Sequence, residues 1–275
     1  MANDEWTHFD AALRVAPGEK ARLSTRDPLG EAFAPDRAAA EARLLKDAEA
    51  IDLLQDRLFA EGRRSVLIVL QGIDTSGKDG TVRGVFKACG PLGVRVTPFG
   101  RPTETELAQD YLWRAHAACP PKGMIGIWNR SHYEDVLVVK VRGLAPAEAV
   151  ALRYDQINAF EKHLAENGVT ILKFMLHISK DEQKRRLQDR LDDPAKLWKF
   201  NPGDLEDRKS WSQFEAAYEE ALTRCSTPHA PWRVVPADKK WRRNMLIASI
   251  VRGVLEAMAP QYPKPSFDPR AITIT

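Results

Sequence analysis

Apolar residues fall into two rhythms along this chain. From Arg37 to Ala60, Leu44, Ala48, Ile51, Leu54 and Leu58 recur at three- and four-residue steps, the period of one helix face. At Val66-Leu67-Ile68-Val69-Leu70 that rhythm stops, and the apolar residues follow one another as in a strand buried on both faces. Further strand candidates follow at Val94 to Phe99, Met124 to Trp128, Val169 to Ile178 and Trp232 to Val235. Helical patterning resumes between them, at Thr103 to Ala118, Pro146 to Asn167, Ser179 to Asp192, Ser210 to Arg224 and Lys239 to Met258. Val136 to Val141 is apolar and fits helix or strand. Strands alternating with helices predict an α/β fold, a three-layer α/β/α arrangement around a mostly parallel five-stranded sheet.

Polar punctuation sets the boundaries. Thr103 with Glu106, and Ser179 with Glu182, have capping-box spacing at two helix starts. Residues 1–60 read as an N-terminal extension and helix packing on the core, with Pro17, Pro28 and Pro35 breaking any period before Arg37. Residues 61–260 form the main domain. Within it, about 185–209 reads as a helical lid. Trp198, Phe200, Pro202 and Gly203 stand there among charges, too polar for core and too aromatic for a linker. Residues 261–275, with Pro263, Pro265 and Pro269, read as an extended tail.

Composition narrows the class. The 275 residues are 44% hydrophobic and 29% charged, as in a soluble globular protein. No apolar run nears the ~20 residues that span a bilayer. The opening MANDEWTHFD lacks a signal-peptide core, so no membrane partner is expected. Cys89, Cys119 and Cys225, an odd count with no close pair, point to a reducing compartment and hence the cytoplasm. Net charge is only +3, but Lys184-Arg185-Arg186 with Arg190, and Lys239-Lys240 with Arg242-Arg243, are local basic clusters. Such clusters attract phosphates or nucleic acid, or form solvated helix faces. The histidines show no metal spacing, and there is no Ser-His-Asp signature. Trp113 and Trp128 read as core.

The chemistry begins where the first strand ends. Gly72-Ile73-Asp74-Thr75-Ser76-Gly77-Lys78 has the spacing G-x-x-x-x-G-K, between a strand and the helix-like stretch Thr81 to Cys89. Glycines let successive N–H groups turn around an anion, the helix start adds partial positive charge, and Lys78 adds a full one. Gly72, Thr75, Ser76, Gly77, Lys78, Asp79 and Gly80 are the candidate phosphate-binding residues; a tight βα turn with a surface lysine is the bland alternative. Asp79 stands where Ser or Thr usually reaches magnesium. Asp74, a carboxylate among phosphates, needs a cation or an acceptor hydroxyl beside it. Asn129 and Arg130 end a strand expected next to the first, and Arg130 can grip a phosphate with two parallel hydrogen bonds. Glu134 and Asp135 add carboxylates nearby. Arg186 and Arg190, one helical turn apart, suit a lid that closes on a moving phosphate and excludes water. Phe99 and Arg101 follow the second strand, where a nucleotide base could stack, although Phe99 fits the core equally well.

These residues together resemble the family-2 polyphosphate kinases, a branch of the P-loop kinases similar to thymidylate kinase. The likeness runs through Gly72-Ile73-Asp74-Thr75-Ser76-Gly77-Lys78-Asp79-Gly80, Pro102-Thr103-Glu104, Tyr111-Leu112-Trp113-Arg114, and Asn129-Arg130-Ser131-His132-Tyr133-Glu134-Asp135. It resumes in the Arg185 to Arg190 helix and at Trp198-Lys199-Phe200, covering about residues 40–260. The resemblance implies a P-loop kinase fold. It also implies transfer of a terminal phosphoryl group between inorganic polyphosphate and nucleoside mono- or diphosphates, with magnesium, or manganese in its place. By that likeness Asp74 and Lys78 are catalytic-site residues, and Arg130 and Arg190, counted with them in the catalytic set, bind phosphate; Arg186 stays a phosphate-binding candidate from its helix face, and Phe99, Arg101, Asn129 and Glu134 are the nucleotide-binding candidates. Magnesium falls to Asp74, with Asn129 and Glu134 as further candidates; Asn129 stands where some members carry Asp. The opening Arg22-Leu23-Ser24-Thr25-Arg26-Asp27-Pro28 looks like the class that phosphorylates AMP as well as ADP. A homo-oligomer is expected, and no nucleic-acid partner. Two rivals stay open: an ATP-dependent nucleoside or nucleotide kinase of the same fold, and a nucleic-acid-binding P-loop module. No reader motif supports the second rival.

Overall fold

The five apolar runs form β1 (Ser65–Gln71), β2 (Val94–Pro98), β3 (Ile125–Asn129), β4 (Val169–His177) and β5 (Trp232–Pro236) in a computed structural model that describes residues 5–274. All pair in parallel, in the spatial order β2-β3-β1-β4-β5. Every residue of β1 is buried, as expected for a central strand covered on both faces. Truncating one of its side chains, Ile68→Ala for example, removes contacts that nothing can refill, at a cost of about 2–5 kcal/mol.

Helices fill both layers. They are α1 (Glu5–Leu13), α2 (Arg37–Glu61), α3 (Lys78–Val85), α4 (Glu104–Leu107), α5 (Trp113–Ala117), α6 (Val138–Val141), α7 (Ala147–Glu166), α8 (Lys180–Asp192), α9 (Gly203–Lys209), α10 (Trp211–Arg224) and α11 (Lys240–Met258). The helix α11 packs on α1, α2 and α3, while α6 packs on α7 and α10. Asp36 caps α2 by accepting from the N–H groups of Ala38 and Ala39, and Gly62 ends it in the left-handed region. Among the described residues, no helix is long and apolar enough to cross a membrane.

Parallel register brings the functional loops together. Leu70 pairs with Asn129, and Pro98 pairs with Asn129 on the far side. The Arg130 N–H donates to the Leu70 carbonyl at 3.0 Å, and the Phe99 N–H donates to the Asn129 carbonyl at 2.9 Å. The carboxyl ends of β1, β2 and β3 therefore finish side by side, where open α/β sheets bind ligands.

The structure departs from the sequence pattern in five places. First, α1 has no counterpart in that pattern; residues 1–4 of the expected N-terminal extension lie outside the described residues. It is held by tertiary contacts: Asp10 is ion-paired with Arg233 and Arg14, and Val15 N–H donates to the Trp232 carbonyl at 2.8 Å, covering the β5 edge. Second, the helix expected from Thr103 to Ala118 breaks into α4 and α5. The Thr103–Glu106 capping box forms, but Asp110 accepts from the Leu112 N–H at 2.9 Å and turns the chain. Third, Trp113 then opens α5 on the outside, 44% exposed, not in the core. Fourth, the Ser179 box forms only half. Its hydroxyl accepts from the Glu182 N–H, but its own N–H donates to Asp238, because the Glu182 carboxylate holds Arg185 and Arg186. Fifth, the phosphate-loop helix stops at Val85. Of the stretch Val136 to Val141, Val138–Val141 forms the short helix α6. The segment 193–209 carries a 3-10 turn at Leu197–Lys199 and then α9.

Candidate active site

The loop after β1 curls back on itself. Gly72 and Gly77 sit at φ of +152° and +100°, and Thr75 holds a left-handed φ of +67° without the licence a glycine has. The Ser76 N–H donates to the Ile73 carbonyl at 3.0 Å. Lys78 folds into the loop, where its Nζ donates to the Gly72 carbonyl at 2.7 Å and lies 3.5 Å from Ser76 Oγ. Burial, and then the nearby Arg130, push the Lys78 ammonium down to about 8.

Arg130 also stands at a left-handed φ, +62°, just beyond β3. Its guanidinium pairs with Asp74 and lies 3.5 Å from Glu134. Burial would disfavour the charge, but Glu134 and Asp74 outweigh it and raise the Arg130 pKa. For Asp74 burial pulls upward, yet Arg130 and Lys78 prevail and hold the carboxyl below its ordinary value. Glu134 goes the other way: burial lifts it despite Arg130 and Lys78. Asn129 points its amide at Asp79, donating at 2.5 Å. The motif's two departures, Asp79 and Asn129, are thus one interaction.

A buried polar network supports this corner. Ser131 Oγ accepts from Gln71 Nε2 at 3.0 Å and from the Tyr133 N–H at 3.2 Å. Beneath it Lys173 donates to Glu161 at 2.5 Å and to the Tyr133 hydroxyl at 2.7 Å, and that hydroxyl donates to Glu161 at 2.8 Å. Such a fully buried ion pair is tolerable only because each charge is also hydrogen-bonded.

These side chains surround a cavity of about 650 Å³. Asp74, Thr75, Gly77, Lys78, Asp79, Gly80, Phe99, Asn129, Arg130, Arg186 and Arg190 all reach its wall. Gly72 and Glu134 lie behind it, against Leu137 and Tyr218. Phe99 is only 5% exposed, with the Trp128 ring at 5.0 Å between centroids and the Arg114 guanidinium 5.3 Å from its own centroid. It is a core residue showing an edge, not an open stacking platform. Arg101 is exposed and does not line the cavity.

The two arginines expected to serve a lid separate. Arg190 donates to the Lys199 carbonyl at 2.9 Å and to Asp204 at 3.1 Å, so it belongs to segment 193–209. Arg186 is buried under the loop. Its Nη1 donates to the Thr75 and Ser76 carbonyls at 2.9 and 3.0 Å, and its Nε donates to Glu182 at 2.7 Å. Arg186, expected as a phosphate ligand, is occupied with loop backbone. Asp135 turns away to Arg153, 3.3 Å distant, and burial pushes it up to about 6.

Sequence reasoning passes over Asp204, which burial and then Asp74 push up to about 6, and Asp207, which burial also raises. It leaves Arg242 and Arg243 open as a solvated face, yet both are buried. Arg242 holds the N-terminal segment by the Leu29 and Ala34 carbonyls, and Arg243 touches the loop. Only their clustering with Lys239 and Lys240 hints at this.

Comparison with known proteins bears on the same geometry. The family model described as polyphosphate kinase 2 matches residues 35–263. The chain belongs to the polyphosphate kinase 2 family. It is similar to the AMP/ADP-polyphosphate phosphotransferase of Meiothermus ruber, 51% identical over 262 residues, covering 95% of this chain and 98% of that protein. The ADP-polyphosphate phosphotransferase of Rhodopseudomonas palustris is 37% identical over 264 residues, covering 92% and 91%. The crystal structure of polyphosphate kinase 2 from Arthrobacter aurescens TC1 superimposes with a TM-score of 0.92 at 42% identity, covering 96% of this chain and 94% of that one. The family consists of enzymes, and the parallel sheet and loop described above are its fold.

Proposed function

We propose that this protein transfers the terminal phosphoryl group of inorganic polyphosphate to AMP and to ADP, reversibly, forming ADP and ATP. The cavity lining carries the choice of donor. Eight cationic side chains, Lys78, Arg130, Arg186, Arg190, Lys196, Lys199, Lys240 and Arg243, face four carboxylates, and Phe99 is the sole aromatic among the described lining residues. A chain of phosphates needs such a groove; the purine of an ATP donor would need a pocket of different composition. The names of the similar proteins support the same donor and both acceptors.

In this reading Lys78 and Arg130 hold the phosphoryl group in flight. They neutralise charge that spreads over its oxygens, which is most of what phosphoryl transfer asks of a protein. Arg190, Lys196 and Lys199 bring charge from the lid and exclude water, which would otherwise compete as acceptor. The acceptor nucleotide sits on the β2 and β3 side, along Pro98, Gly100 and Asn129.

Members of this class of kinase use a divalent cation. Among the described residues no cluster of three or more His, Cys, Asp or Glu side chains is arranged to enclose one. Two of the four cavity carboxylates, Asp74 and Asp79, nevertheless fit a hard cation that takes its remaining ligands from substrate phosphates and water. We assign magnesium to Asp74, with the Asn129 side-chain oxygen in support; Glu134, the other candidate, stands behind the cavity beside Arg130. When bound, the ion would supply Lewis-acid polarisation of phosphoryl oxygens. The test is a donor comparison: with AMP and magnesium present, polyphosphate yields ADP far faster than ATP does. ATP as the better donor would support the rival kinase reading.

A further inference from the structure

Behind the loop stands a side-chain pair of which only Arg243 counts among the cavity's cations, and neither member has a role of its own. Arg243, in the first turn of α11, is 1% exposed. Its Nη1 donates to the Ser76 carbonyl at 3.1 Å, and its Nε and Nη2 donate to Asn244 Oδ1 at 3.0 and 2.8 Å. Asn244 Nδ2 reaches the Gly80 carbonyl at 3.5 Å. No carboxylate among the described residues forms an ion pair with this guanidinium. Burial, and the nearby Arg186, push it down to about 9, so it stays charged at neutral pH. A buried guanidinium ordinarily meets a carboxylate, because an uncompensated charge is costly to bury. Here a neutral amide occupies that place.

The same guanidinium approaches the cavity through two glycines. A Cβ on Gly77 would collide with Nη1, and one on Gly80 would lie 3.2 Å from Nη2. Both glycines and Arg243 contribute to the cavity wall. Glycine at 77 is therefore required twice, by its φ of +100° and by the closeness of the arginine.

We infer that Arg243, oriented by Asn244, is a positioning residue whose uncompensated charge belongs to the donor-phosphate site. It fixes the loop by the Ser76 carbonyl and presents positive charge to an anion on the other side of Gly77 and Gly80. The neutral partner is what matters: Asn244 aims the guanidinium without cancelling it. This rests on phosphate binding at the loop, and is independent of which nucleotide accepts.

Asn244→Asp tests it. The variant keeps an acceptor oxygen for Arg243 and sets a carboxylate beside it. A purely mechanical brace would tolerate that change; a charge contributor would not. Inorganic tripolyphosphate binding is measured by calorimetry, with thermal melting alongside. The expected result is binding weakened about tenfold, with a shallower salt dependence and no loss of melting temperature. In turnover the effect falls on KM for polyphosphate, not on KM for AMP. Wild-type affinity for tripolyphosphate in N244D would overturn the inference. Should N244D melt lower, Arg243→Lys and Arg243→Met decide. Lysine keeps binding within a few-fold while methionine loses it, and equal binding by the two overturns the inference. A wild-type protein that binds tripolyphosphate yet phosphorylates no nucleotide defeats the proposed function and leaves this comparison readable. A wild-type protein that binds no tripolyphosphate defeats the inference itself.

Discussion

Lys78 and Arg130 meet the cavity from the front of the phosphate loop, while Arg186 and Arg243 hold the loop from behind. In front, Arg130 faces carboxylates, pairing with Asp74 and lying 3.5 Å from Glu134. Behind, Arg186 donates to the carbonyls of Thr75, Ser76, Ala237 and Asp238, and Arg243 donates to that of Ser76. Carboxylate side chains can turn aside when an anion arrives. The loop carbonyls cannot, because they are the loop. The front is therefore built for exchange of partners and the back for fixed geometry. Pre-set geometry of this kind lets charge act on a transition state without reorganisation.

The division between front and back is tested most severely at Lys78. Lys78→Ala should lower kcat/KM by about a thousandfold or more while the melting temperature holds, since in the proposed function it removes charge at the reacting phosphate. Near-normal turnover would show that the front is not the site. Arg130→Lys comes next, with a loss of about a hundredfold, because a point charge cannot replace the two-pronged grip. Melting curves should barely move for that variant. Arg186→Met should invert the pattern. It takes one partner from Glu182 and the donors from buried carbonyls, so about 3–5 kcal/mol of stability is lost along with activity. An Arg186→Met protein as stable as wild type, lacking only turnover, would place the back among the chemical groups.

Smaller effects sharpen the picture. In the proposed function Lys78 acts on phosphate as the cation, and burial lowers its pKa to about 8 in the free protein. The kcat/KM profile should therefore fall on its alkaline side from about pH 8, approaching about tenfold per pH unit. A flat profile to pH 10 would contradict the burial of that ammonium. Smallest is Asn129→Asp, which sets a second carboxylate against Asp79. The expected cost near neutral pH is about 1 kcal/mol by denaturant melts, relieved as pH falls and one carboxyl takes up a proton.

The features legible in the sequence are those whose parts lie close together along the chain. The run from Val66 to Gly80 carries its own strand, turn and helix start, so that local geometry can be read directly. Five apolar runs between helical stretches announce the parallel sheet. The Asn129–Asp79 contact joins residues fifty apart, and only the register of β3 beside β1 creates it. Arg242 and Arg243 look like a solvated face, because burial of an arginine is decided by what packs on it, here the N-terminal segment and the loop. Arg186 and Arg190 share a helix face as expected, but the loop backbone lies on one side of that face and segment 193–209 on the other. The helix α1 escapes a reading by period because Asp10 and its arginine partners, not a local pattern, keep it in place.

A time course with AMP, magnesium and polyphosphate as the sole phosphoryl source tests the central claim most directly. Nucleotides are separated by chromatography and phosphates followed by phosphorus NMR. ADP should rise first and ATP after it, with one phosphate leaving the polymer for each one gained by nucleotide. AMP left unchanged, or polyphosphate consumed only to free phosphate, would contradict it.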